Sequence, residues 1–258
     1  MAGVAPIGIA ELEAKVKDMY RAVARDPHGR YHFEMGRGLA QRLGYPTATL
    51  DQIPEGAIES FAGVGYFFDL ADLTEGEEVL DLGSGSGMDA FLAALKVGER
   101  GRVVGVDMTT EQLEKAEGLR AAARFTQVTF TEGHVEELHF EDASFDAVIS
   151  NGVINLSHDK ERVFAEAARV LRPGGRLAIA DIIAEIHLTP QIIRNTDLWA
   201  SCIGGAAQQD DYQQAIEASA LRLELMRKNR YEFVSEQARN ASAKYGVKSV
   251  SILARKGG

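Results

Sequence analysis

The hydrophobic positions of this chain change their period near residue 78. Before it, Ile9, Leu12, Val16, Met19, Tyr20 and Val23 recur at helical spacing among charged residues, the stripe of an amphipathic helix that has to dock on something. Asp26-Pro27-His28-Gly29 ends that helix. A short helix through Leu39 and Leu43 follows, and Tyr45-Pro46 and Ile53-Pro54-Glu55-Gly56 punctuate a region of helices and loops without strands. From residue 78 onwards, short apolar runs alternate with helical stripes. Strands are expected at Glu78 to Asp81, Val103 to Asp107, Val128 to Phe130, Phe145 to Ser150 and Arg176 to Asp181, and helices from Met88 to Val97, Thr109 to Ala123 and Lys160 to Val170. Thr109 and Gln112 stand at capping-box spacing, and Pro173-Gly174-Gly175 reads as a turn before the fifth strand. Strand and helix in strict succession predict a parallel sheet covered on both faces, with any ligand off the carboxyl ends of the strands.

The first of those strand ends carries chemistry. After Val79-Leu80-Asp81 the chain reads Leu82-Gly83-Ser84-Gly85-Ser86-Gly87. Glycine lets the backbone approach a ligand, and the first-turn N–H groups of the helix that follows are free to bind one. The spacing is G-x-G-x-G rather than the dinucleotide fingerprint G-x-G-x-x-G, and a carboxylate stands two residues before the first glycine. An aspartate aimed at a pyrophosphate repels it, whereas one aimed at an ammonium attracts it. The loop therefore suits a nucleoside that ends in an amino acid, which describes S-adenosylmethionine.

The other strand ends fit the same ligand. Asp107, 20 residues beyond Gly87, stands where a second-strand carboxylate accepts hydrogen bonds from a ribose diol. Met108 offers a polarisable thioether to the adenine face, and His134, Val135 and Glu136 offer contacts to its edge. Asn151, ending the fourth strand, falls where the methionine head and the sulfonium belong. Each residue alone has a plainer reading as a cap, a core side chain or a loop. Their order on successive strand ends makes the set.

Composition narrows the partners. A formal charge of −10 argues against nucleic acid or an anionic membrane and favours a small-molecule partner, and no apolar run approaches the length of a membrane span. The first ten residues lack a positive leader, and a single cysteine fits a reducing cytoplasm. His28 and His32 share i, i+4 spacing, but without further clustered ligands they do not make a metal site, so no metal is expected.

Four segments resemble the ordered motifs of the S-adenosylmethionine-dependent methyltransferases: Val79 to Gly87, Gly105 to Thr109, Ile149 to Leu156 and Arg169 to Leu177. Within that family they are most similar to the arsenite methyltransferases. The resemblance implies an α/β class I, Rossmann-like fold with a seven-stranded, mostly parallel sheet, helices on both faces and an antiparallel last strand at Lys248 to Ala254. The residue pattern itself divides the chain into a helical cap, residues 1–72, either a substrate lid or a packing appendage, and a cofactor domain, residues 73–258, with a helical insertion at about 183–220 that closes over substrate or forms a homodimer surface. The resemblance also implies Asp81, Gly83, Ser84, Gly85 and Gly87 around the methionine part, Asp107 on the ribose, Met108 and Val135 on the adenine, and Asn151 on the amino group.

Where the chain departs from that family, the substrate is in question. The family holds trivalent arsenic with three cysteines, at positions that align here with Val64, Gly152 and Cys202, so one sulfur survives. A small molecule other than arsenite is the first expectation, with arsenite or an arsenic–thiol conjugate second. Gly152, Asn155, Cys202, Tyr31 and His32 are the substrate-side candidates. Methyl transfer from a sulfonium is an in-line displacement that needs alignment above all, and if the acceptor must lose a proton, Tyr31 and His32 are the first candidate bases, with Glu34, His158 and His187 behind them. A nicotinamide-dependent oxidoreductase and a protein that binds S-adenosylmethionine without turning it over are the rival readings.

Overall fold

The structure, a computed structural model, describes residues 8–193, 195, 198, 199 and 203–258. Its centre is a sheet in the order β3-β2-β1-β4-β5-β8-β7. The strands are β1 (Glu78–Leu82), β2 (Arg102–Asp107), β3 (Val128–Glu132), β4 (Phe145–Asn151), β5 (Leu171–Ala184), β6 (Ala207–Gln208), β7 (Leu221–Lys228) and β8 (Lys248–Lys256). The first five run parallel, β8 is antiparallel to both β5 and β7, and β6 adds a two-residue pairing at the end of β5. Chain order reverses between β1 and β4, which opens a crevice at their carboxyl ends.

The helices cover both faces. On one side α6 (Met88–Val97), buried along most of its length, packs with the N-terminal segments α2 (Gly36–Leu43), α3 (Thr47–Leu50), α4 (Glu55–Glu59) and α5 (Phe68–Ala71) in one apolar core built around Leu50, Ile58, Phe67 and Phe91. On the other, α8 (Lys160–Val170) and the helix Gln209–Ala218 close over Leu80, Phe145 and Phe164. The N-terminal helix α1 (Ile9–Arg25) buries Leu12, Val16 and Val23 and lies on α7 (Thr110–Ala123), where Glu111 accepts from Arg21 at 2.7 Å and Arg25 at 3.0 Å.

Three sequence expectations are corrected. The strand expected from Arg176 begins at Leu171, because Leu171 pairs with Phe145 and both are fully buried. Pro173-Gly174-Gly175 is therefore an irregularity inside β5, with Gly174 at φ +78°, rather than a turn before it. At the far edge of the sheet, β7 ends in Arg227 and Lys228, and Arg227 pairs with Asp69 at 2.6 Å. The capping box does not form either. Thr109 makes no side-chain cap, and Gln112, buried beneath α1, accepts from the Ser86 hydroxyl and donates to the Tyr20 carbonyl at 3.0 Å.

Arg176 ties the N-terminal segment to the sheet. Its buried guanidinium donates to both oxygens of Glu77, at 2.9 and 2.7 Å, and to the carbonyls of Ala71 and Asp72. Removing one partner of a buried pair leaves the others unpaired, so Arg176→Ala is expected to cost about 3–5 kcal/mol of stability. The measurement is the urea midpoint at unchanged slope, and a loss under about 1 kcal/mol would contradict the assignment.

Candidate functional site

The Gly83–Gly87 loop is held open by its own backbone. Gly83, Gly85 and Gly87 all have positive φ, at +69°, +53° and +93°, and the N–H groups of Gly83 and Ser84 both donate to the Val106 carbonyl. The three glycines differ in what lies around them. A Cβ on Gly83 would stand 2.2 Å from Val153 Cγ2 and one on Gly87 2.7 Å from Phe130 Cζ, while one on Gly85 would meet nothing nearer than 3.9 Å. The outer two are close contacts inside the protein, and the middle one faces the cleft. Asp107 braces the loop, its Oδ2 accepting from Gly85 N at 2.9 Å and its Oδ1 from Thr109 N at 2.8 Å.

Beneath the loop lie two buried carboxylates. Asp81 is 2 % exposed, and its Oδ2 has no hydrogen-bond partner. Burial, reinforced by Asp89 and Asp107, raises its carboxyl well above the usual range. Asp89, in the first turn of α6, accepts from the Tyr45 hydroxyl at 2.7 Å and from Asn151 Nδ2 at 2.9 Å. Desolvation pushes it up to about 6 despite those two donors. Ser84 Oγ is a second buried polar atom without a partner. Such atoms are rare in folded proteins, and two of them on the wall of one cleft mark a place for a ligand.

The cleft encloses about 1130 Å³, counting its open mouth, and lies off the carboxyl ends of β1 to β4. Leu12, Glu13, Val16 and Tyr20 of α1 also line it. Glu13, Asp81, Asp89, Asp107 and Glu136 face it, and among the described residues no lysine or arginine does. That wall is complementary to a cation and hostile to a diphosphate.

Residues 73–220 match the model of the methyltransferase domain family. The chain belongs to this family. The arsenite methyltransferase of Halobacterium salinarum is 38% identical over 219 residues, which cover 84% of this chain and 56% of that one. The 2-phytyl-1,4-beta-naphthoquinone methyltransferase of Arabidopsis thaliana is 40% identical over 110 residues, 42% of each chain. An arsenic (III) S-adenosylmethionine methyltransferase from Chlamydomonas reinhardtii, solved by crystallography, superposes with a TM-score of 0.68 at 35% identity, covering 82% of this chain and 72% of that one. The chain spans about half the length of the curated relatives it matches. The methyltransferase fold and S-adenosylmethionine as cofactor stand with the family, and the nicotinamide reading is set aside.

Asp81, Gly83, Ser84, Gly85, Asp107, Met108, His134, Val135, Glu136 and Asn151 all line the cleft of this methyltransferase domain, with Gly87 behind the loop against Phe130. The donor set fits the nucleoside, since a buried carboxylate oxygen and a serine hydroxyl stand unpaired beside an open glycine. Asn151 also makes contacts of its own within the protein. Its Oδ1 accepts from Val64 N at 2.7 Å and Gly65 N at 3.3 Å, and its Nδ2 donates to Tyr45, Gly65 and Asp89, so the side chain is spent on holding neighbours.

The substrate-side candidates fare differently. Tyr31 and His32 do not line the cleft; Tyr31 donates to the Asp26 carbonyl at 2.8 Å, and both rings pack on Phe33. Glu34 pairs with Arg42 and His187 faces Asp211, so neither lines the cleft, whereas His158 does, with Nδ1 3.9 Å from Glu136. Asn155 is fully buried in the turn Ile154–Leu156 and outside the cleft wall, and Gly152 is buried against Val64, where a Cβ would stand 3.3 Å from Cγ1. Cys202 lies outside the described residues. Sequence reasoning missed Tyr45, Asp89 and the α1 wall. Asp89 had a signal, a carboxylate two residues past the last glycine, but it read as an ordinary first-turn acid.

Asp107→Ala is expected to weaken binding of S-adenosylhomocysteine by about 1–3 kcal/mol, the scale of a hydrogen bond to a charged group, as measured by calorimetry. An unchanged dissociation constant would count against a ribose contact. The native state also holds the Asp89 proton more tightly than the unfolded chain does. That stability is complete below the unfolded value near 3.8 and is lost as pH rises through about 6. The stability of Asp89→Asn relative to wild type, both without ligand, should therefore rise by about 1–3 kcal/mol between about pH 4 and pH 7. A difference that stays constant in urea titrations would overturn this.

Proposed function

We propose that this chain transfers a methyl group from S-adenosylmethionine to a neutral small molecule. The observation that carries the reading is the unpaired, buried carboxyl oxygen of Asp81 beneath an open glycine loop, in a cleft that no lysine or arginine among the described residues lines. Asp81 and the Gly83, Ser84 and Gly85 backbone would hold the methionine part, Asp107 the ribose, Met108 and Val135 the adenine faces, and His134 and Glu136 its edge. When bound, the cofactor supplies an electrophilic methyl on a sulfonium. The chain's own work is alignment and the exclusion of water, which carry most of an in-line displacement. The α1 wall of Leu12, Val16 and Tyr20 supplies the roof. Residues 1–72 act in this reading as the cap of the cofactor domain. Five carboxylates on the wall argue against an anionic acceptor.

Arsenite held by three sulfurs does not suit this chain. Val64 and Gly152 are neighbours in space, so the two aligned positions do meet, but neither offers a thiolate, and trivalent arsenic is thiophilic. A second reading, supported by 38% identity to an arsenite methyltransferase, is that arsenic enters already bound to external thiols. Labelled S-adenosylmethionine offered with phenols, amines, thiols and arsenite, with and without a free thiol, tests these together. Methyl transfer to a neutral organic acceptor with arsenite alone inert is the expected result. Equal labelling of arsenite without added thiol would overturn the assignment, and binding without transfer to any acceptor would favour a cofactor-binding protein.

A further inference from the structure

The cleft is lined by more carboxyl groups than one ammonium group can pair with. Asp81 and Asp89 sit on adjacent elements, β1 and α6, both almost fully buried, and both reach the same cleft. The groups that face them come from every side. Asp107 of β2 adds a third carboxylate behind Asp81, and Tyr45 and Asn151 donate to Asp89. Tyr66 lies further along, between Asp69 and Arg227, and Glu13 of α1 faces the cleft from above. The nearest cations belong elsewhere. Lys17 acts on Asp107, and Lys115 donates to Ser60 Oγ at 2.7 Å. An unpartnered Asp81 oxygen inside this arrangement is aimed at a charge that the protein does not supply.

We propose that Asp89, acting with Asp81, makes the cleft read the charge of its nucleoside, holding the sulfonium form and letting the thioether form go. The proposal rests on the cofactor assignment above. Methyl transfer breaks the sulfur–methyl bond with the electron pair left on sulfur, while an acceptor lone pair forms the new bond, so the nucleoside leaves with one positive charge fewer. Two opposite charges a few ångströms apart at the effective dielectric of a partly enclosed site interact strongly enough to change affinity by roughly 10- to 100-fold. The same charge governs a proton. Burial raises the Asp81 carboxyl well above the usual range, and a bound cation draws it back down, so taking up a cation favours loss of a proton there. A neutral thioether returns the demand for it. Asp89 thus acts as a specificity residue that favours exchange of product for fresh donor, through binding rather than through the reacting bond.

The test is calorimetric. The wild-type chain is titrated with S-adenosylhomocysteine, a neutral thioether, and with sinefungin, which carries a protonated amine where the sulfonium stands. Each titration is run near neutral pH in two buffers of different ionisation enthalpy, so that proton release is read from the heats. The expected result is about 10- to 100-fold tighter binding of sinefungin, with more protons released than for the thioether, and a ratio that collapses to within about threefold in Asp89→Asn but survives in Asp89→Glu. Equal affinities and equal proton release in the wild type would overturn the proposal without any variant having to fold. Unequal affinities unchanged by Asp89→Asn would remove Asp89 from it. Failure of both nucleosides to bind would overturn the cofactor reading itself, a different outcome.

Discussion

A carboxylate taken out of water without a counter-charge costs several kcal/mol, and this chain buries two carboxyl groups near one another, Asp81 in β1 and Asp89 in the first turn of α6. Asp81 and Asp89 are the constraint around which the site is arranged. Tyr45 and Asn151 spend their donors on one of them, the glycine loop leaves the other an open face, and no basic side chain among the described residues is brought in to neutralise the pair. A fold selected for stability alone would have placed a lysine or a leucine there. In the proposed function that missing charge would come with the ligand.

The second support is a seam of hydroxyls and amides under the N-terminal segment. Val64 and Gly65 donate to Asn151, the Val64 carbonyl accepts from Ser249 at 2.6 Å, and the Tyr66 carbonyl accepts from Ser251 at 2.9 Å. Two polar residues of β8, inward-facing and buried, thus hold a stretch of backbone that has no ladder of its own. That seam fixes the side of the cleft where Ala62 and Gly63 stand. It also explains why the sheet's last strand, far from the cofactor loop in sequence, bears on the site.

Much of this was legible in the sequence where the signal was local. The Asp81 loop, Asp107 and the residues after β3 announce themselves by spacing along one strand and one turn, and the structure brings them to one cleft. The Tyr45, Asp89 and Asn151 cluster was not legible, because its members are up to 106 residues apart and each looks ordinary alone. Tyr31 and His32 drew attention for the opposite reason: a local concentration of aromatic and ionisable groups suggested chemistry, whereas both stand away from the cleft wall, Tyr31 stacking on Phe33 and His32 meeting it edge-on. In β7 the alternation of Leu221, Leu223 and Leu225 with Arg222 and Glu224 was there to read, but a bulge between Leu223 and Leu225 and the exposure of Leu225 hid an edge strand.

The roof differs in kind from the floor. The floor is a hydrogen-bonded sheet, whereas α1 is held by Leu12, Val16 and Val23, by the Gln112 amide that donates to the Tyr20 carbonyl, and by a carboxylate shared by Arg21 and Arg25. Elements with few buried contacts and screened ion pairs open at far lower free energy than core strands. The cleft thus has walls of unequal stiffness, a hydrogen-bonded sheet below and above it a helix whose surface ion pairs weaken as salt rises.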